Sequence, residues 1–231
     1  MPAALVIGAR NLGFAIIERL LADGWSVVGA ARSAQTIERV QAAGATGIEV
    51  DVTDRASVLA ALSKTAELHG RVDLTVNAAS PYGDRDGPFG GGAMAEATEP
   101  GFDSWAVGPI RGAFAFLSAS SRFLGEQGGE ATIVQVTGGS SRRGMPNRGL
   151  WAAGAFGVRA MTQAAALELR ERRIHVALLI VDALIDHQGT GRADSADPAS
   201  LADAVAYLAS QSPRAMTHEL QMTPALDQWV P

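Results

Sequence analysis

The stretch ALVIGARNLGFAIIERLLADGWSVVGAARS, residues 4–33, decides the fold. It predicts an apolar strand over Ala4–Ile7, a glycine turn over Gly8–Gly13, an amphipathic helix to Ala22 and a second apolar strand over Ser26–Ala31. A buried strand that leads through a glycine turn into a helix begins a dinucleotide-binding βαβ unit. Glycine lets the backbone approach a pyrophosphate, and the free N–H groups of the helix attract it. An ordinary strand–turn–helix without a ligand gives the same pattern, so both interpretations stay open here.

Composition narrows the classes of protein. The length of 231 residues predicts one α/β domain over 1–231. The net charge of −5 argues against nucleic acid or an anionic membrane as partner. No apolar run reaches the length of a bilayer span, so we expect no membrane segment. The chain has no cysteine and its four histidines are scattered, so we expect a cytoplasmic protein without a metal site.

Helical and apolar segments alternate along the rest of the chain. Beyond a polar helical stretch to residue 43, the pattern predicts strands at 48–54 (ending in Asp51), 74–80, 131–137 and 174–181, and helices at 55–69, 103–124 (interrupted at Gly108-Pro109), 150–172 and 197–211. Residues 81–101 and 138–149 are predicted loops, and an extended tail follows residue 211. Such alternation favours a single-domain Rossmann fold, a doubly wound parallel sheet with helices on both faces.

Four motifs occur in the order found in one large family. They are DVTD at 51–54, VNAAS at 76–80, RAMT at 159–162 and DPASLADAVAYLAS at 197–210. The chain resembles the short-chain dehydrogenase/reductase family over nearly its whole length. The resemblance implies a nicotinamide cofactor, a small carbonyl or alcohol substrate and a homodimer or homotetramer. Small residues between Ala152 and Ala160 are also typical of a helix that approaches a partner closely.

The resemblance assigns a set of cofactor-binding residues. Gly8 matches the family's first loop glycine and Gly13 its third, while Asn11 stands near the second, in a turn where Asn tolerates left-handed backbone. Asp51 is implied to lie beside the adenine, although it could instead cap the next turn. The full set is Gly8, Arg10, Asn11, Leu12, Gly13, Arg32, Ser33, Asp51, Val52, Asn77, Ala78 and Ala79.

The end of the second strand indicates which cofactor binds. An acidic residue there accepts hydrogen bonds from the ribose 2′-OH, whereas a basic residue suits a 2′-phosphate. This chain has no acid in Ala30–Ser33, and Arg32 and Arg10 flank the same corner. Two guanidinium groups and a hydroxyl favour NADP(H) over NAD(H). The alternative is that both arginines are solvated surface residues.

The catalytic positions depart from the family pattern. The family usually transfers a proton from a Tyr, with help from a Lys, a Ser and a helix Asn. The resemblance places Trp151 at the Tyr, Ala155 at the Lys, Gly138 at the Ser and Pro109 at the Asn. An indole N–H can donate a hydrogen bond but cannot supply a proton at neutral pH. Ordinary carbonyl reduction is therefore not expected.

Other titratable side chains are alternative catalytic candidates. Arg142 and Arg143 occupy the loop after the fifth strand, and Asp182, Asp186 and His187 follow the sixth. At the carboxyl edge of a parallel sheet they could bind an anionic substrate or act in acid–base catalysis. They could equally be a solvated basic loop and a polar turn. With the indole at the family's Tyr position included, the candidates are Trp151, Asp182, Asp186, His187, Arg142 and Arg143.

Three functions remain open at this point. The first is an NADP(H)-dependent oxidoreductase that has replaced its proton donor. The second is a non-redox enzyme on the same scaffold, such as a cyclase, lyase or isomerase. The third is a catalytically silent nucleotide-binding protein. Fold alone does not choose among them.

Overall fold

A seven-stranded parallel sheet forms the centre of the computed structural model, which describes residues 1–80 and 87–228. The sheet consists of β1 (Ala3–Ile7), β2 (Ser26–Ala31), β3 (Thr46–Glu49), β4 (Leu74–Asn77), β5 (Ala131–Gly138), β6 (Ile174–Val181) and β9 (Glu219–Met222). The strand order is β3-β2-β1-β4-β5-β6-β9. The strands β7 (Leu184–Ile185) and β8 (Ser195–Ala196) form a separate pair. The predicted Rossmann fold is confirmed.

Helices cover both faces of the sheet. They are α1 (Leu12–Ala22), α2 (Ala34–Ala42), α3 (Arg55–His69), α4 (Glu99–Phe102), α5 (Gly108–Gln127), α6 (Gly149–Leu169) and α7 (Pro198–Ala209). One apolar core joins α1 and α7 to the sheet, and a second joins α3, α5 and α6 to the opposite face. Every residue of β1 and β6 is buried, as expected for strands covered on both sides. In the described ranges no helix is long and apolar enough to cross a bilayer.

Local chemistry sets the ends of several elements. The Asp54 carboxylate accepts the N–H of Ala56 and begins α3, which ends at Gly70 with φ +86°. Asp197 caps α7 in the same way, and Pro198 occupies the first helical position, where no N–H is needed. These caps position the helices behind the carboxyl edge of the sheet.

The third strand is shorter than predicted. It ends at Glu49, whereas the apolar pattern suggested a strand over 48–54. The Asp51 carboxylate accepts hydrogen bonds from both the backbone N–H and the hydroxyl of Thr53, at 2.9 and 2.8 Å. These two bonds close a local turn between Asp51 and Thr53. The chain therefore leaves the extended conformation at this point. The fourth strand likewise ends at Asn77 rather than at residue 80.

The segment before α5 differs from the prediction in another way. Five residues, Asp103–Val107, form a π-helical turn between α4 and α5, so the predicted interruption precedes Gly108-Pro109. Pro109 lies in the first turn of α5, where its missing N–H costs little, and does not kink a helix interior. The predicted loop 81–101 contains two short 3₁₀ turns and α4, and its residues 81–86 lie outside the described residues.

The strand β9 was not predicted, because its four residues ELQM mix polar and apolar types. It pairs in parallel with β6 and closes the edge of the sheet. His175 of β6 anchors the segment that leads from α7 to β9. Its two ring nitrogens lie 3.1 Å and 2.9 Å from the carbonyl oxygens of Leu208 and Thr217.

We expect acid to destabilise the fold through His175. Burial lowers the pKa of this side chain below its ordinary 6.5, and the hydrogen bonds to carbonyl groups offset that only in part. The unfolded chain therefore takes up the proton first, so the free energy of unfolding falls as the pH drops below about 6.5. Urea unfolding over a pH series should show a shallower dependence in His175→Gln. His187→Gln, at an exposed histidine, should keep the wild-type slope; equal slopes in both variants would contradict the assignment.

Candidate functional site

A cavity of about 540 Å³ opens at the carboxyl edge of the sheet, beyond β4, β5 and β6. Much of its wall is apolar, with Phe89, Pro109, Trp151, Val158, Val181 and Ile185 among the lining residues. Its polar lining includes Asn77, Gln135, Thr137, Asp186, His187 and Arg192. Its size and position are those of a small-molecule site in an open α/β sheet.

The glycine turn brings β1, α1 and β4 into close contact. Gly8 has φ +89°, and a Cβ there would lie 2.6 Å from the carbonyl carbon of Ala78. A Cβ at Gly13 would lie 2.8 Å from the carbonyl carbon of Gly8. Glycine is therefore required at both positions, because the obstructing atoms belong to the backbone. Because neither Gly8 nor Gly13 has a side chain, none covers the start of α1 at these two residues.

Asn11 does not play the conformational role predicted for it. It is the N-cap of α1 with φ −110°, outside the left-handed region, and its side chain makes no capping hydrogen bond. The shorter turn places its one left-handed residue at Gly8 instead. Leu12, the first residue of α1, is buried in the core. No side chain caps this helix start, although the N–H of Phe14 donates to the carbonyl oxygen of Asn11 at 3.0 Å.

The side chains predicted for the adenosine half lie around the end of β2. Arg10 and Arg32 are exposed, and Ser33 is the N-cap of α2 without a side-chain capping bond. Asp51 accepts hydrogen bonds from Thr53 in its own turn, and its place beside the adenine stays a prediction. Burial raises the pKa of Asp51, but the hydrogen bonds from Thr53 and the charge of Arg32 outweigh it and keep that pKa below its ordinary value. Val52, next to it, is buried.

Two buried amide side chains, those of Asn77 and Gln135, line the cavity and are hydrogen-bonded to each other. The Nδ2 of Asn77 donates to the Oε1 of Gln135 at 3.0 Å, and its Oδ1 accepts the N–H of Ala79 at 3.1 Å. The N–H of Ala78 donates to the carbonyl of Ile7. Asn77, Ala78 and Ala79 are thus fixed next to the glycine turn, and their contact with a cofactor stays a prediction.

The four positions that the resemblance pairs with the family's catalytic groups come together in this chain. Pro109, Gly138, Trp151 and Ala155 all line the cavity. A Cβ at Gly138 would lie 2.9 Å from the Cζ2 of Trp151. The indole therefore occupies the space that a serine side chain would need. None of these four residues has a side chain that can supply a proton at neutral pH.

Aromatic side chains surround the indole. Phe89 makes edge-to-face contacts with Trp151 and Trp105, with ring centroids 4.9 and 5.1 Å apart. The guanidinium of Arg148 lies 5.3 Å from the Phe89 ring. These contacts hold the ring of Trp151 in place, because edge-to-face pairs are favourable beyond their buried area. The cavity wall around Trp151 is consequently aromatic and apolar.

Asp182 lies outside the cavity lining in the described residues. Its carboxylate is buried and accepts hydrogen bonds from the side chains of Gln221 and Thr223, at 3.1 and 3.2 Å. A Cβ at Gly139 would lie 2.6 Å from the Asp182 carboxyl carbon. The side chain thus joins β9 to the end of β5, and this geometry gives no support to the catalytic role predicted for it.

Arg142 and Arg143, the predicted arginine pair, lie away from the cavity. Arg142 lies 3.3 Å from the carboxylate of Glu219, which Arg159 binds through two nitrogens at 2.7 and 2.8 Å. Arg143 is exposed, and neither Arg142 nor Arg143 is among the described residues that line the cavity. Arg142 therefore helps to attach β9, and the structure does not bring the pair to the site.

Asp186 and His187 do lie at the cavity mouth, as predicted. The Asp186 carboxylate accepts the N–H and hydroxyl of Thr190 and the N–H of Gly191, and these hydrogen bonds lower its pKa. Arg192, which the sequence analysis missed, lines the same mouth and pairs with Asp194. The ring of His187 is exposed and its Nδ1 lies 3.0 Å from the carbonyl of Ile185. The Asp186 carboxylate thus anchors the loop at Thr190 and Gly191.

Two further lining residues escaped the sequence analysis. Gln135 lies in the middle of an apolar strand, where a single polar residue among strand formers was a usable signal. Phe89 lies in the glycine-rich segment, and nothing in the local pattern indicates that it folds over Trp151. Within residues 1–80 and 87–228, no three His, Asp or Glu side chains are grouped so as to hold a metal ion.

Known proteins share both the sequence pattern and the fold. The model of the short chain dehydrogenase family matches residues 2–184. L-2,3-butanediol dehydrogenase of Corynebacterium glutamicum is 31% identical over 170 residues, which are 70% of this chain and 63% of that enzyme. The alignment thus spans less than two thirds of that relative.

Solved structures agree over nearly all of the chain. The alcohol dehydrogenase of the archaeon Thermococcus sibiricus, complexed with 5-hydroxy-NADP, has a TM-score of 0.77 at 23% identity and covers 100% of both chains. A variant of actinorhodin polyketide ketoreductase with NADPH has a TM-score of 0.78 at 24% identity, covering 99% of this chain and 98% of its own. At such identities the likeness shows a shared fold. Together with the family match over most of its length, these features show that the protein belongs to the short-chain dehydrogenase/reductase family.

Proposed function

We propose that this protein binds NADP(H) along the edge of β1, β2 and β4 and a small molecule in the adjoining cavity, without the proton transfer usual in its family. One observation carries the proposal: the indole of Trp151 fills the space beside Gly138 in which a serine would stand. The nicotinamide, when bound, supplies or accepts a hydride. Reduction of a carbonyl also needs a proton, and the four family positions offer none.

The residues present fit an NADP(H) cofactor. The glycine turn has no side chain at Gly8, where it lies close to Ala78. The start of α1 has no side-chain cap, so a pyrophosphate could bind there. At the end of β2, Arg10, Arg32 and Ser33 provide cations and a hydroxyl where a 2′-phosphate would lie. Two proteins of the same fold are described with NADP or NADPH bound, which supports the same choice here.

The cofactor proposal predicts tighter binding of NADP(H) than of NAD(H). A charge-assisted contact to the 2′-phosphate contributes about 1.5–3 kcal/mol, which is roughly tenfold or more in affinity. Calorimetric titration of both nucleotides should show this preference, and Arg32→Ala should reduce it. Lys64→Ala removes an exposed cation from α3 and should change neither affinity. Equal affinities of the wild-type protein for the two nucleotides would refute the proposal.

We further propose that the cavity accepts an uncharged molecule, such as a small carbonyl compound or alcohol. The charged side chains that line it among the described residues, Asp186 and Arg192, are already bound by Thr190, Gly191 and Asp194. A charged ligand would have to break these contacts or stay unpaired beside an apolar wall, which is costly. The non-redox alternative is supported by His187, which provides a titratable ring at the cavity mouth.

For the assembly we propose a homodimer or homotetramer. Phe114 of α5 and Phe156 and Leu167 of α6 are exposed large apolar side chains on neighbouring helices. Gly157 lets α6 approach Ile110 of α5, and Gly154 lets it approach the π-helical turn before α5. These contacts within one chain account for part of the small-residue content of α6. Light scattering at micromolar concentration should give a multiple of the 23.9 kDa chain mass; a monomer would refute this proposal.

A further inference from the structure

A third arginine reaches the corner where Arg10 and Arg32 lie. Arg39 belongs to the last turn of α2, and its side chain runs back towards the glycine turn. That turn is tied to the end of β2, because the N–H groups of Gly8 and Ala9 both donate to the carbonyl of Ala30. The backbones that carry Arg10 and Arg32 are therefore joined at this point.

The guanidinium of Arg39 is held at two points. Its Cζ lies 3.6 Å from the centroid of the Phe14 ring, the geometry of a cation–π contact. Its Nη1 donates a hydrogen bond to the carbonyl oxygen of Arg10 at 3.2 Å. Phe14 is itself buried in the core at the start of α1, so its ring is a fixed platform. A long exposed side chain that is fixed in this way loses less freedom when an anion binds.

The positive charge at this corner is not neutralised by close ion pairs. No carboxylate of the described residues lies within 4.0 Å of Arg10, Arg32 or Arg39, although the chain has a net charge of −5. Like charges that share a corner repel one another. An arrangement that keeps them together is favoured when an anion binds between or beside them.

We propose that Arg39 is a positioning residue for NADP(H) selectivity, which fixes the main chain of Arg10 and adds a third positive charge to the 2′-phosphate corner. The inference rests on the proposed NADP(H) site. Arg39 reaches that corner from α2, where its guanidinium stacks on Phe14 and donates to the carbonyl oxygen of Arg10. The ligand class is a nucleotide with a phosphate on its adenosine ribose.

The test uses two fragments that differ in this phosphate. Calorimetric titration with 2′,5′-ADP and with 5′-AMP separates the 2′-phosphate from the rest of the adenosine half. Arg39→Met keeps an unbranched apolar stem over Phe14 but removes the charge and the donor. We expect its affinity for 2′,5′-ADP to fall about three- to tenfold, as for loss of one close charge, with 5′-AMP affected less than about twofold. The salt dependence of 2′,5′-ADP binding should also become shallower, because one cation fewer is screened.

Two further variants make the result specific. Arg39→Lys keeps the charge but lacks the planar donor fork, so its affinity should lie between wild type and Arg39→Met. Lys64→Met removes a cation from the exposed face of α3 and should leave both fragments unaffected. Unchanged 2′,5′-ADP affinity and salt dependence in Arg39→Met, together with a loss in Arg32→Ala, would overturn the role of Arg39 alone. A wild-type protein that binds both fragments equally would overturn the NADP(H) site and this inference with it.

Discussion

NADPH consumption with simple aldehydes and ketones is expected to be about 10²–10⁴-fold slower than in a family reductase that has its Tyr proton donor. The physical reason is the loss of general acid assistance at the position of Trp151, whose indole cannot supply a proton. Ala155 and Gly138 remove the assisting groups at the same time. The absorbance of NADPH, followed across a carbonyl panel at saturating cofactor, measures the rate directly.

Two comparisons make the assay decisive. A family reductase with an intact catalytic Tyr, assayed beside it, shows that the panel and the cofactor are competent. Trp151→Phe removes the indole N–H while keeping an aromatic ring in the wall, and should leave the background rate unchanged. Fast consumption by the wild type that Trp151→Phe abolishes would contradict the prediction, because it would give the indole a catalytic role. No turnover together with tight NADPH binding would favour the non-redox and nucleotide-binding alternatives.

Gly8→Ala is expected to destabilise the protein by about 3 kcal/mol or more and to abolish nucleotide binding. The residue has φ +89°, and the new methyl group would lie 2.6 Å from the carbonyl carbon of Ala78. The obstructing atoms are backbone atoms of the segment after β4, so relief requires the glycine turn to separate from that strand end. Urea unfolding measures the free energy, and calorimetry measures the loss of binding.

Gly24→Ala is a matched control for this experiment. Gly24 has φ +80°, close to that of Gly8, but a Cβ there would have no heavy atom within 4 Å. Its replacement should therefore cost only the left-handed backbone strain, about 1 kcal/mol. The difference between the two variants isolates the close approach at Gly8. Equal destabilisation would mean that the tight contact between the turn and β4 does not exist in solution.

Much of the fold follows from the sequence because its signals are local. The apolar runs of β1 and β6 and the Asp caps of α3 and α7 act within a few residues, and they predict the elements correctly. The order of the four family motifs then predicts which strands end next to one another at the carboxyl edge of the sheet. β9 gives no such signal, because four mixed residues become a strand only through pairing with β6.

The site was harder to predict, because side-chain direction depends on tertiary contacts. Asp182 follows β6 as predicted, yet its carboxylate turns towards Gln221 and Thr223 of a segment whose strand was not foreseen. Arg142 turns away for the same reason, towards Glu219. The contact of Arg39 with Phe14 joins two helices, so nothing in either helix alone indicates it.

The contact between Trp151 and Gly138 also restricts how the site can change. A Gly138→Ser substitution made first places its Cβ against the indole, which is held on its other side by Phe89. The same substitution made after Trp151→Tyr meets a smaller ring. The two steps are thus non-additive, and only one order avoids an overpacked intermediate. A serine at position 138 would therefore have to follow a change at the aromatic position, so this one contact sets the order of the two substitutions.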